Sequence, residues 1–130
     1  MTYLFDVNAL LALGFFQHEF SNRVAAWVQS QRSLTIATCS ITEMGFLRIL
    51  SGAQRYGVTV EEAKSLLAAL KLGKRPSLTF IEDDQDLLLI PSWVIATKQI
   101  TDGHLLQLAA AHSMQLATLD ERIPGAYLIP

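Results

Sequence analysis

Cysteine is nearly missing from this 130-residue chain. Cys39 stands alone, which excludes an internal disulfide and leaves a thiolate metal site without partners, so a small buried side chain is its expected role. Long apolar runs are missing too, as are the basic region and small-residue cleavage site of a secretory signal, so a cytoplasmic protein with no membrane contact is expected. Glycines fall singly, which excludes a phosphate-cradling loop of the Walker or dinucleotide type. The histidines His18, His104 and His112 lack ligand spacing, and His112, on an apolar helix face, is expected in a core role. Positive charge is not in excess: ten Lys and Arg against twelve Asp and Glu leave a net charge of −2. A nucleic-acid partner would therefore have to be met by bound cations or a local basic patch. What the chain has is apolar substance, 51% hydrophobic against 17% charged, enough for one well-packed domain over 1–130.

The stretch Tyr3 to Leu13 organises the rest. Tyr3, Leu4 and Phe5 read as a strand buried on both faces that stops at Asp6, and Asn8 reads as the N-cap of a helix ending near Gly14. Phe20, Val24, Trp27 and Val28 mark the apolar face of a helix within 18–31. Residues 34–38 read as a second strand, followed by Ser40 and Glu43 as a capping box that opens a helix to Gly52. Thr59 and Glu62 form another box, for a helix closed by Gly73. A third strand at 77–81 leads into the acids Glu82, Asp83, Asp84 and Asp86, expected as a solvated run. Thr101 as N-cap and Asp102 in the first turn open a late helix, before strands at 115–119 and 126–129. Strands separated by helical spans imply an α/β fold: a central parallel sheet of four or five short strands with helices on both faces.

Four acids lie where strands give way to helices: Asp6, Glu43, Asp102 and Asp120. In a parallel sheet those ends share one edge, where ligands bind. Converging carboxylates repel, by roughly 4 kcal/mol at about 4 Å and an effective dielectric near 20, so protons or a cation must compensate. Oxygen ligands without His or Cys suit Mg²⁺ or Mn²⁺, and that points to phosphodiester chemistry. Local alternatives exist for three of the four. Glu43 also fits as the reciprocal member of its capping box, Asp102 as a dipole complement and Asp120 as a turn residue. Asp6, after apolar residues, has no such local explanation. Phe15, Phe16, Trp27, Phe46 and Trp93 are expected in the core, and Arg48 and Arg55 in surface pairs.

The ordered series LFDVNALLAL, ATCSITEMGFLRIL, ITDGHLLQLAA and LATLDERI resembles the PIN-domain ribonucleases, in particular the VapC toxins of toxin–antitoxin pairs, over essentially the whole chain. The resemblance implies a PIN-like three-layer α/β/α fold and an acidic quartet of Asp6, Glu43, Asp102 and Asp120 around Mg²⁺ or Mn²⁺. Asn8 is implied as the polar companion that orients Asp6 or a metal-bound water. It also implies an RNA substrate, a VapB-type antitoxin that masks the site, and a homodimer. At His104 many relatives carry a tyrosine, and the second histidine that relatives often hold near His18 is missing. The competing expectation is a non-catalytic module whose acids dock a basic partner segment. A receiver domain would want a late lysine, which 119–130 lacks, and a two-aspartate phosphatase a second acid in place of Asn8.

Overall fold

The computed structural model describes all 130 residues. Five strands, β1 (Thr2–Phe5), β2 (Thr35–Thr38), β3 (Ser77–Phe80), β4 (Gln115–Thr118) and β5 (Tyr127–Leu128), form one all-parallel sheet in the order β3-β2-β1-β4-β5. The helices are α1 (Val7–Gly14), α2 (Ser21–Ser30), α3 (Ser40–Gly52), α4 (Val60–Leu72) and α5 (Ile100–Ala111).

Alternation along the central strands divides the core in two. Tyr3, Phe5, Ile36 and Ala117 face α1 to α4 in the larger cluster, where Leu10, Trp27, Phe46 and Leu67 fill the layer. Leu4, Ala37 and Leu116 face the other way, onto Leu105, Leu108 and Ala109 of α5. These are the three expected layers, with one helix on one face and four on the other. Because both faces are covered, β1 is apolar and buried from Tyr3 to Phe5, up to Asp6.

Several helix starts differ from the sequence expectation. Strand β1 passes into α1 without a loop, so the N-cap is Asp6, whose Oδ1 accepts from Ala9 N at 2.9 Å; Asn8 lies inside the helix and is exposed. Helix α3 is capped at Cys39, not Ser40: Thr42 Oγ1 accepts from Cys39 N at 3.0 Å, and Glu43 takes no part. Helix α5 begins at Ile100 with Gln99 as its cap residue, two places before the expected cap Thr101. The Thr59 and Glu62 box forms as expected, with reciprocal bonds of 3.0 and 3.1 Å. Cys39 is buried, as expected. His112 is not: it caps the exposed end of α5, and His104 is the buried histidine. Phe16 is 81% exposed because α1 has ended before it, while Phe15, Trp27 and Phe46 are in the core and Trp93 packs at its margin.

Candidate active site

The carboxyl ends of β1 and β4 place Asp6 beside Thr118. The ladder pairs Phe5 with Ala117, and Asp6 N donates to Ala117 O at 3.2 Å, so the next side chain on β4 reaches the acid. Thr118 Oγ1 donates to Asp6 Oδ2 at 2.5 Å while accepting from Asp120 N at 3.0 Å. Both oxygens of Asp6 are therefore aimed by the fold, one at a helix N-terminus and one at a strand end. Only 6% of the residue remains exposed.

Burial is the largest influence on Asp6 and pushes its pKa from 3.8 up to about 6. The bonds from Thr118 and Ala9 oppose that rise, and the Asp102 and Asp120 carboxylates add to it. Asp102, in the first turn of α5, is raised by desolvation and by Asp120. Asp120 goes the other way, because Arg122 grips it side-on, Nε to Oδ1 at 2.9 Å and Nη2 to Oδ2 at 3.0 Å. Three acids from distant parts of the chain thus share one electrostatic neighbourhood.

Glu43 occupies the flank of this trio. Its Oε2 accepts from Thr38 Oγ1 at 2.6 Å, and Lys71 Nζ reaches both of its oxygens, at 3.0 and 2.9 Å. The charges acting on Asp6 come from Asp102 and Asp120, not from Glu43. The quartet therefore divides: two members carry their own cation, and Asp6 and Asp102 carry none.

Asn8 lines the site without aiming Asp6, whose orientation comes from Ala9 and Thr118. A cavity of about 370 Å³ holds Asn8, His18, Asp120 and Arg122. It shares Asn8, His18 and Glu19 with one of about 430 Å³ that runs to Arg55 and Tyr56. It shares Asp120 and Arg122 with one of about 220 Å³ beside Asp102, Trp93 and Lys98. Together they form a groove that runs past Asp120 and Asp102; Asp6 and Glu43 do not line it. Arg55 stacks on Tyr56, 4.9 Å from the ring centroid, and Arg48 lies against Met44 Sδ, so neither makes the surface ion pair expected of it.

No three His, Cys, Asp or Glu side chains converge closely enough to enclose an ion unaided. The donor chemistry nonetheless fits a hard cation: the trio offers only oxygen, with two carboxylates under unfavourable charge. The nearest imidazole in sequence, His104, is turned away and bonds Asp83 Oδ2 through Nε2 at 2.6 Å. That pairing also corrects the expectation of a wholly solvated acidic run.

Sequence reasoning missed Thr38, Thr118, Lys71, Arg122 and Asp83. One signal for the threonines was present. The two strands flanking β1 read Ile36-Ala37-Thr38 and Leu116-Ala117-Thr118, and each ends on a hydroxyl that donates to a site acid. The other three act across folds of the chain or through a local pair with no fixed spacing.

The parallel α/β/α layers, with acids at the strand carboxyl edge, are the PIN-like architecture that the resemblance implies. The chain is 32% identical over 124 residues to ribonuclease VapC38 of Mycobacterium tuberculosis, an alignment covering 90% of this chain and 84% of the relative. With ribonuclease VapC44 of the same species it shares 34% over 139 residues, 97% of this chain and 94% of the relative. The chain belongs to the VapC ribonuclease family. Among solved structures, M. tuberculosis VapC20, described as a sarcin-ricin loop cleaving toxin, matches with TM-score 0.67 at 13% identity over all of both chains. VapBC2 of Rickettsia felis, bound to a promoter DNA fragment, matches with TM-score 0.61 at 18% identity over 98% of this chain and 97% of that one. No family model matches the chain.

Proposed function

We propose that this protein is a divalent-cation-dependent endoribonuclease, the toxin of a toxin–antitoxin pair, with its whole length a single PIN domain. The observation that carries the reading is the electrostatic trio: Asp6 and Asp102, both raised by burial and by neighbouring carboxylates, together with Asp120 beneath an open groove. Asp6, Asp102 and Asp120 would hold Mg²⁺ or Mn²⁺, with Glu43 as the fourth acid on the flank and Asn8 beside a water at the rim. When bound, the cation supplies Lewis-acid activation of the scissile phosphate and of water.

The rest follows from this chain's own groups. Thr118 and the α1 N-terminus fix Asp6 as an acceptor, so its lone pairs are directed before any ligand arrives. Thr38 does the same for Glu43. Lys71 and Arg122 neutralise the two outer acids while the site waits, and Arg122 lines the groove where an incoming phosphate can claim its guanidinium. Hydrolysis adds water across the P–O bond, leaving phosphate on one fragment and hydroxyl on the other. No covalent bond to the protein is required.

A VapB-type antitoxin masks this groove in the paired state. Exposed Phe80, Leu87, Leu88 and Leu89, on and after the edge strand β3, offer apolar surface for association into a homodimer. No helix is long and apolar enough to cross a membrane. A toxin that cuts cellular RNA would act in the cytoplasm.

The deciding experiment incubates antitoxin-free protein with total RNA, with Mg²⁺ or Mn²⁺ and with EDTA, beside Asp102→Asn. Cleavage at discrete ends that needs both the cation and Asp102 supports the reading. RNA binding without turnover under every condition would instead identify a non-catalytic docking module.

A further inference from the structure

At the opposite edge of the sheet lies a polar cavity of about 610 Å³, formed where the segment after α2 enters β2 and where residues 74–77 enter β3. Arg32, Lys74 and Arg75 line it with Gln29, Gln31 and Ser33, and no acidic side chain is among its walls. Of the ten Lys and Arg residues, Lys64, Lys71 and Arg122 pair with carboxylates, and Arg23 donates to the Ile129 carbonyl. Six therefore have no carboxylate or carbonyl partner, and three of the six meet in this one cavity. The Lys74–Ser77 bridge fixes the backbone that carries two of them.

All three side chains are exposed and none is held by a carboxylate, so the cavity presents its positive charge to an incoming anion. On a chain of net charge −2, this is the local basic patch that a phosphate backbone requires. We propose that the cavity is a second RNA contact site, taking phosphates of a segment remote from the scissile bond. Two guanidinium groups suit bidentate phosphate recognition, Lys74 adds a point charge, and the glutamines and Ser33 offer hydrogen bonds to phosphate or ribose. Strand β2 alone, four residues at about 3.3 Å each, sets the two sites about 13 Å apart along the sheet. The cavity lies at the opposite edge of the sheet from the acids, so a short oligonucleotide would have to wrap around the sheet to meet both, whereas a folded RNA meets them with separate segments.

Naming the polyanion as RNA rests on the ribonuclease reading, and the test separates the two. A variant combining Arg32→Gln, Lys74→Gln and Arg75→Gln is compared with wild type on a short single-stranded oligoribonucleotide and on a long folded RNA. Cleavage of the short substrate stays at the wild-type rate. Binding of the long RNA in EDTA weakens, and the slope of log K against log salt falls by about 2, at roughly 0.7 per phosphate contact. The affinity lost between about 50 and about 200 mM salt is then about 20-fold smaller than for wild type. Arg32→Gln alone shows about a third of the slope change and serves if the triple variant does not fold. An unchanged affinity and salt slope would overturn the proposal, as would loss of binding to anionic lipid vesicles with RNA binding intact. A slope change between wild type and variant, with no RNA cut by wild type, would refute the nuclease and leave the contact site standing.

Discussion

Replacing Asp6 by Asn should make the metal-free protein more stable. Asp6 titrates near 3.8 when unfolded and at about 6 when folded, because burial and two neighbouring carboxylates disfavour its charge. The folded chain holds that proton more tightly, so the stability it brings is fully present below about pH 4 and is lost as pH rises through about 6. At about 1.36 kcal/mol per pH unit, the ionised group costs about 3 kcal/mol at pH 7.5. Asparagine keeps a carbonyl for Ala9 N but must rearrange the bond with Thr118, at about 1 kcal/mol. The net gain is about 2 kcal/mol, roughly 6 °C in Tm for a chain of this size. Thermal unfolding in EDTA at several pH values measures it, and the difference between wild type and Asp6→Asn isolates this one titration. The difference should grow between about pH 4 and about pH 6 and then level off. An Asp6→Asn variant no more stable than wild type at pH 7.5 would refute the reasoning.

Two further substitutions probe the supports of the site. Thr118→Val removes the hydroxyl that donates to Asp6 and accepts from Asp120 N; urea unfolding at pH 7.5 should show a loss of about 1–3 kcal/mol, and a neutral result would mean the hydroxyl does not hold the carboxylate. Asp83→Ala leaves His104, only 3% exposed and with Nδ1 already lacking a partner, without a hydrogen bond at either ring nitrogen. A cost of about 1–3 kcal/mol is expected, largely recovered in Asp83→Asn, which retains an acceptor.

The layers of this fold were legible because they rest on local patterns. Tyr3 to Phe5, 34–38 and 115–119 announce buried strands by composition, and the acids that follow them mark the carboxyl edge. Boundaries were less legible, for physical reasons visible at each junction. Asn8 and Asp6 are equally good N-caps by residue type, and the direct passage from β1 to α1 decides between them by putting Asp6 in the extended conformation a cap requires. The same happens at Cys39, where Thr42 closes the turn and frees Glu43 for Thr38 and Lys71. The partnerships that tune the acids were the least legible. Thr118 meets Asp6 across 112 positions, Lys71 meets Glu43 across 28 and Asp83 meets His104 across 21, and no spacing rule connects such residues. Only the repeated apolar-Ala-Thr ending of β2 and β4 hinted that strand-end hydroxyls serve the site.

Direct titration of Mn²⁺, followed by the disappearance of the free-ion electron paramagnetic resonance signal, tests whether the Asp6, Asp102 and Asp120 trio is a cation site. Wild type should take up the ion at neutral pH, Asp6→Asn and Asp102→Asn should lose that uptake, and Glu43→Gln should retain most of it because Glu43 already answers to Lys71. Uptake that survives in both aspartate variants, or depends on Glu43 alone, would contradict the account.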